Sequence, residues 1–357
     1  MKMSQSYFLG CNSADGFVSL FNELYDAYDG WTIYIIKGGP GTGKSTLMKN
    51  LCKYADSKKI KYEKIYCSSD PDSLDGVIFS ELKISIADGT PPHVLEPKFP
   101  GAVENLVTLN NFWNRDMLKN HREDIIKYST LISAEHAKCI RYLKAADIIQ
   151  SEINREVLLN TDTDKLKRFI LREIRRNADE TSINKTPIIK NRIINALTPD
   201  GMVFFKESVY SQCDDITVFK DDYSVLSQII IEELSSFYKS EHMDIIKCKS
   251  FLNPNKLTDH IILPENRKAF LTDNYNFNFS TDKNLIHVSR FYKKTILNEK
   301  ATLNSALNAK KNAIETACEH LKKAKELHDK LESYYIDAMD FDALNDYTSK
   351  TIKEILK

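Results

Sequence analysis

Gly38-Gly-Pro-Gly-Thr-Gly-Lys-Ser-Thr46 decides how the rest of the chain is read. It satisfies G-x-x-x-x-G-K-[ST] through Gly38, Gly43, Lys44 and Ser45. The apolar run Trp31-Thr-Ile-Tyr-Ile-Ile36 leads in, and the helix-like Ser45-Thr-Leu-Met-Lys-Asn-Leu-Cys-Lys-Tyr54 leads out. Strand, loop and helix in that order separate a phosphate-binding loop from a glycine-rich turn that binds nothing. Glycines 38, 39, 41 and 43 permit positive φ and bring bare backbone close to a ligand. The amides of the turn and the N-terminus of the helix then favour an anion. The expected site is for a nucleoside triphosphate. Gly38, Gly39, Gly41, Thr42, Gly43, Lys44, Ser45 and Thr46 surround the phosphates, Lys44 reaches the β- and γ-phosphates, and the Ser45 hydroxyl ligates Mg2+.

Working outward, 357 residues favour two domains. Hydrophobic content of 42% and charged content of 28% are ordinary for a globular protein. Fifty basic and fifty acidic side chains cancel, which gives no strong signal for nucleic acid or anionic lipid. No apolar run approaches the ~18 residues of a membrane span, so no membrane partner is expected. The opening Met1-Lys-Met-Ser-Gln-Ser6 lacks the apolar core of a secretory signal. Seven scattered cysteines with no C-x-x-C pair suggest reduced thiols and a cytoplasmic location. The eight histidines include no H-E-x-x-H, which argues against a structural metal.

Ten of the eleven glycines lie between positions 10 and 101. Positions 102–186 and 265–357 contain neither Gly nor Pro, and both carry apolar residues at helical spacing. A helix over about 297–337 would be roughly 60 Å long, long enough for a projecting arm or hairpin. The basic segment Lys165–Arg176 reads as a solvated linker helix.

The chain also repeats itself. Ser13-Ala-Asp-Gly-Phe-Val18 returns as Thr198-Pro-Asp-Gly-Met-Val203, and Ile33–Lys37 as Ile216–Lys220. Asp70-Pro-Asp-Ser-Leu74 returns as Asn253-Pro-Asn-Lys-Leu257, Glu81 as Glu265, and Phe112-Trp113 as Phe291-Tyr292. The positions matching 38–45 read Asp221-Asp-Tyr-Ser-Val-Leu-Ser-Gln228, with no glycine, a serine for the lysine, and two carboxylates where phosphates would approach. One nucleotide site per chain follows, in a domain spanning 1–180, with 181–357 as a degenerate repeat.

Beyond the loop, Lys61–Cys67 reads as a strand, and Ser68-Ser-Asp-Pro-Asp-Ser-Leu-Asp-Gly76 as an acidic turn beside the phosphates. Ile84-Ser-Ile-Ala-Asp88 is an apolar strand ending in the acid that would hold Mg2+ through water, with Asp70 and Asp75 as rivals. Gly89 stands where many fast ATPases carry a water-activating glutamate, and the GTPase N-K-x-D motif is missing, so ATP is the expected nucleotide. His93 is a candidate γ-phosphate or substrate contact, and Arg115, Arg122 and Arg141 are candidate charge-stabilising arginines; a solvated surface role is the alternative for each.

Tyr7–Asn12, the loop from Lys37 to Ser45, Cys67–Asp70 with Leu74–Gly76, Glu81-Leu-Lys83 and Asp88-Gly-Thr-Pro-Pro-His93 together resemble a bacterial family of duplicated P-loop ATPases, of ATPase or nucleotide-kinase type. The likeness spans the chain and is tightest over 7–113. Members can carry a P-loop in each half; this sequence departs by losing the second. The resemblance implies ATP binding and names no substrate. The expected fold is an α/β P-loop NTPase core, mainly parallel and duplicated, each half extended by long helices. The expected activity is an Mg-ATP-dependent ATPase using Lys44 and Asp88. A small-molecule or nucleotide kinase, or a nucleotide-gated module with a protein partner, is the alternative.

Overall fold

The computed structural model describes residues 4–177, 185–274, 279 and 284–356. In the first half β1 (Ser4–Phe8) leads to a hairpin of β2 (Gly10–Ser13) and β3 (Gly16–Ser19). Next come β4 (Thr32–Lys37), α1 (Lys44–Lys58), β5 (Tyr62–Tyr66), β6 (Leu74–Phe79), β7 (Ile84–Asp88) and β8 (Glu104–Thr108). Helices α2 (Arg115–Asn120), α3 (Arg122–Leu159) and α4 (Thr163–Asn177) follow. The second half opens with β9 (Ile189–Arg192), the hairpin β10 (Asn195–Thr198) and β11 (Gly201–Phe204), and a short α5 (Lys206–Tyr210). It continues through β12 (Asp215–Lys220), α6 (Val225–Ser240), β13 (Ile245–Lys249), β14 (Thr258–Leu263), β15 (Lys268–Asp273), β16 (Leu285–His287), α7 (Ile296–Asp337) and α8 (Phe341–Ile355).

The result is a mixed α/β chain with two six-stranded, mostly parallel sheets, ordered β1-β5-β6-β7-β4-β8 and β9-β13-β14-β15-β12-β16. The reversed strand in each is β6 or β14, antiparallel to both neighbours. Short turns on either side of it allow hairpins, whereas α1 and α6 supply the crossovers that parallel strands require. The repeat extends to single hydrogen bonds. Ser13 Oγ donates to Gly16 O at 2.8 Å and Thr198 Oγ1 to Gly201 O at 2.9 Å, across turns whose glycines have φ of 102° and 101°. The buried positions Leu47, Met48, Leu51, Cys52 and Ala55 of α1 recur at constant spacing as Ile230, Ile231, Leu234, Ser235 and Tyr238 of α6.

The long helices do not project. Helices α3 and α7 pair antiparallel along their length, with His121 beside Tyr334 towards one end and Gln150 bonded to Lys310 towards the other. Each therefore reaches from its own half to the opposite one. There the chain is pinned by backbone bonds: Asn114 N to Ala338 O and Asp340 N to Phe112 O, both 2.7 Å, and Lys293 N to Asn160 O and Asp162 N to Phe291 O, both 2.8 Å. The last helix of each half then packs on the other half. Leu344, Ile352 and Ile355 of α8 join Leu47 and Leu51 of α1. Leu166, Phe169 and Ile170 of α4 join Val225 and Ile230 of α6, so the basic segment 165–176 is an amphipathic packing helix and not a solvated linker. The 180/181 boundary and Met1–Met3 lie outside the described residues.

The two sheets meet where Phe8 and Ile193 exchange backbone bonds of 2.8 and 3.1 Å. Beside them Arg192, 2% exposed, reaches Glu63 at 2.8 Å and Glu23 at 3.7 Å. Burial alone would raise the Glu63 carboxyl, but Arg192 and Lys190 hold it below the ordinary carboxylate range. The seven cysteines are all free of disulfides. Among the described residues no helix is long and apolar enough to cross a membrane.

Candidate functional site

Strand β4 delivers Lys37 to the edge of the sheet, and the glycine-rich loop turns back there into α1. Two of its residues need glycine's freedom: Gly41 has φ 66° and Gly43, immediately before the helix, φ 81°. Thr42 Oγ1 braces the turn by donating to Gly39 O at 2.8 Å. The backbone N–H groups from Gly41 to Thr46 have no protein acceptor among the described residues, the ordinary condition of a first helical turn whose donors await a partner. Lys44 Nζ donates to Gly38 O and Gly39 O at 3.0 and 2.7 Å, and lies 3.6 Å from Asp88 Oδ2.

Asp88 ends β7, which pairs parallel with β4, so acid and loop leave the sheet at the same edge. Its Oδ1 accepts from Thr90 N at 2.9 Å and from Thr90 Oγ1 at 2.6 Å. Burial raises its carboxyl above the ordinary range, with a smaller push from the Asp75 charge, while Lys44 and Thr90 oppose both. Ser45 Oγ accepts from Leu74 N at 3.0 Å. A hydroxyl, a carboxylate and an ammonium beside unsatisfied amides make a donor set that suits a phosphate chain with a hard divalent cation.

The remaining sequence candidates separate. Asp70 turns away to form a tight turn with Ser73, and it sits 3.8 Å from Lys325 of α7. Asp75 is buried against His93, whose Nε2 lies 3.0 Å from Asp75 Oδ2. His93 is thus neither a solvated loop residue nor poised on the loop's open face; it is 5% exposed and stacked on Phe21. Arg115, Arg122 and Arg141 are exposed on α2 and α3.

What the sequence did not reveal is a cover from the far end of the chain. A Cβ built at Gly39 would lie 3.0 Å from both Trp113 and Tyr335, and one at Gly41 would lie 2.8 Å from Ile336 and 2.9 Å from Glu332. Leu344 of α8 faces Gly43 in the same way, at 3.1 Å. Nothing local in Glu332, Tyr335, Ile336 or Leu344 signals this position, because it follows from the crossing of α7.

The second half shows what the loss of glycines does. Helix α6 begins two residues earlier, at Val225, and Ser224 (φ 61°) takes the conformation of Gly41. Asp221, fully buried, turns its carboxylate onto the helix: Oδ2 accepts from Ser227 N at 2.9 Å and Oδ1 from Tyr223 N at 3.2 Å. The protein's own anion occupies this helix N-terminus, so the obstruction is a seated carboxylate and not repulsion at a distance. Comparison with family models, curated proteins and solved structures gives no match for this chain.

Proposed function

We propose that this chain is a P-loop nucleoside triphosphatase that binds Mg-ATP at one site, in its first half. The observation that carries the reading is the row of uncommitted amides from Gly41 to Thr46 with the Lys44 ammonium at its mouth. Those amides would hold phosphate oxygens, and Lys44 would neutralise charge gathering on the transferring group in a partly buried, low-dielectric setting. Ser45 and Asp88 would hold Mg2+, which when bound supplies charge neutralisation on the phosphates. Thr90 keeps the Asp88 carboxylate oriented by two hydrogen bonds.

Calorimetry with ATP and Mg2+ tests the reading. One site per chain is expected, and Lys44→Ala should weaken binding about tenfold to a hundredfold, the value of a charge-assisted contact. Unchanged affinity in Lys44→Ala removes the assignment. A second reading, a nucleotide-gated interaction module, is favoured by the contact of Glu332, Tyr335 and Ile336 with the loop, since it joins the site to a helix reaching the other half. Phosphate release separates the two readings: steady turnover supports the hydrolase, and tight binding without release supports the module. ATP consumption only on addition of a metabolite acceptor would point to a kinase.

A further inference from the structure

We propose that Asp75, held in place by His93, is a second carboxylate of the magnesium shell beside Asp88; the inference rests on the nucleotide reading above. Asp75 and Asp88 leave neighbouring antiparallel strands at one edge, since Gly76 pairs with Ala87 and these two acids are the next step along. The residue before Asp75 is already tied to the site through the 3.0 Å bond from Leu74 N to Ser45 Oγ. Asp75 is 5% exposed, its Oδ2 lies 3.0 Å from His93 Nε2, and the Cys67 thiol is hydrogen-bonded to its carboxylate. Two buried acids at adjacent positions repel when both are charged; the Lys44 ammonium lies 3.6 Å from one of them, and a hard divalent ion would take both carboxylates with hydroxyl and water oxygens.

His93 sits in a pocket shaped for its ring. Phe21 stacks on it with centroids 4.2 Å apart and planes 3° from parallel, and Phe17 meets it edge-on at 4.8 Å. A side chain at Gly10 would collide with its Cε1. These walls fix the ring so that Nε2 faces a single carboxylate, which makes His93 a positioning residue for Asp75.

The second half provides an internal control. Ser45 corresponds to Gln228 by the register of buried positions, and Asp75 to Asp259 by the second position of β6 and β14. There Gln228 Nε2 donates to Asp259 Oδ1 at 2.7 Å, and the residue in the Asp88 position is Thr272. Where the glycine loop is lost, the Gln228 amide bonds the carboxylate, the buried Lys310 ammonium attracts it, and the second acid is gone. Where the loop is intact, a short hydroxyl stands in its place and both acids remain.

The test uses the full chain carrying Asp75→Asn or His93→Phe, with folding checked by circular dichroism. ATP affinity is measured by calorimetry with EDTA and with Mg2+, and bound Mn2+ is read by electron paramagnetic resonance. Metal-free ATP affinity should stay within about twofold. The gain in affinity on adding Mg2+ should fall about tenfold to a hundredfold in Asp75→Asn and by a smaller factor in His93→Phe. An unchanged Mg2+ gain with an unchanged Mn2+ spectrum overturns the proposal, and if Asp75→Asn does not fold, His93→Phe decides alone. Wild-type protein that binds no ATP in either condition removes the nucleotide reading and this inference with it. Metal-free binding that is intact, with a Mg2+ gain indifferent to both variants, removes only the inference.

Discussion

Tyr335 and Trp113 close over Gly39 from opposite halves of the chain, their ring centroids 5.7 Å apart and each within 3.0 Å of where a Gly39 Cβ would stand. Anything that seats phosphate on this loop does so beneath an aromatic pair with one member from each half. Trp31 is the other tryptophan in the chain. In a Trp31→Phe background, Mg-ATP should therefore change Trp113 emission, and Tyr335→Ala should shrink that change; a titration followed by fluorescence checks it.

Gly41→Ala should damage both stability and binding. A non-glycine residue at φ 66° costs about 1–2 kcal/mol, and the added methyl would lie 2.8 Å from Ile336 Cγ1 and 3.1 Å from the Glu332 carbonyl oxygen. Urea denaturation should show at least that loss, and calorimetry a weaker ATP affinity, because α7 must move for the loop to keep its shape.

Asp221 makes the opposite forecast for the second half. Asp221→Ala should cost about 1 kcal/mol through loss of the carboxylate seated on α6, and it should leave one ATP per chain. Calorimetric stoichiometry rising to two would show that the carboxylate alone keeps the later loop empty.

Lys310 should leave a signature at alkaline pH. It is 4% exposed, and burial pushes its ammonium down to about 8 against the pull of Asp259 and Asp221. Between about 8 and the ordinary value of 10.5 the unfolded chain holds this proton and the folded chain does not, so stability rises with pH across that window. The slope is about 1 kcal/mol per pH unit at most. Denaturation curves compared for wild type and Lys310→Met should show this rise in the former and its absence in the latter.

The glycine loop and its flanks were legible because their chemistry is local: strand residues, positive-φ glycines and a helix start within about fifteen positions. The repeat was legible too, and its Ser13 and Thr198 turns proved alike down to the hydrogen bond. The reversed strand β6 was harder, since Leu74–Phe79 is buried at every position and shows no alternation to mark its direction. The burial of His93 was not legible, because a histidine after two prolines reads as a solvated loop residue and only the fold brings Phe17, Phe21 and Asp75 around it. The exchange of α4 and α8 was invisible. Their apolar faces announce that they pack, but periodicity carries no address for the surface they meet.

That exchange sets the order in which the protein can mature. Leu344, Ile352 and Ile355, which cover the apolar side of α1, are made some three hundred positions after Leu47 and Leu51. The nascent first half must therefore wait with that surface bare until α8 has been made, a window in which chaperone capture or aggregation competes with completion.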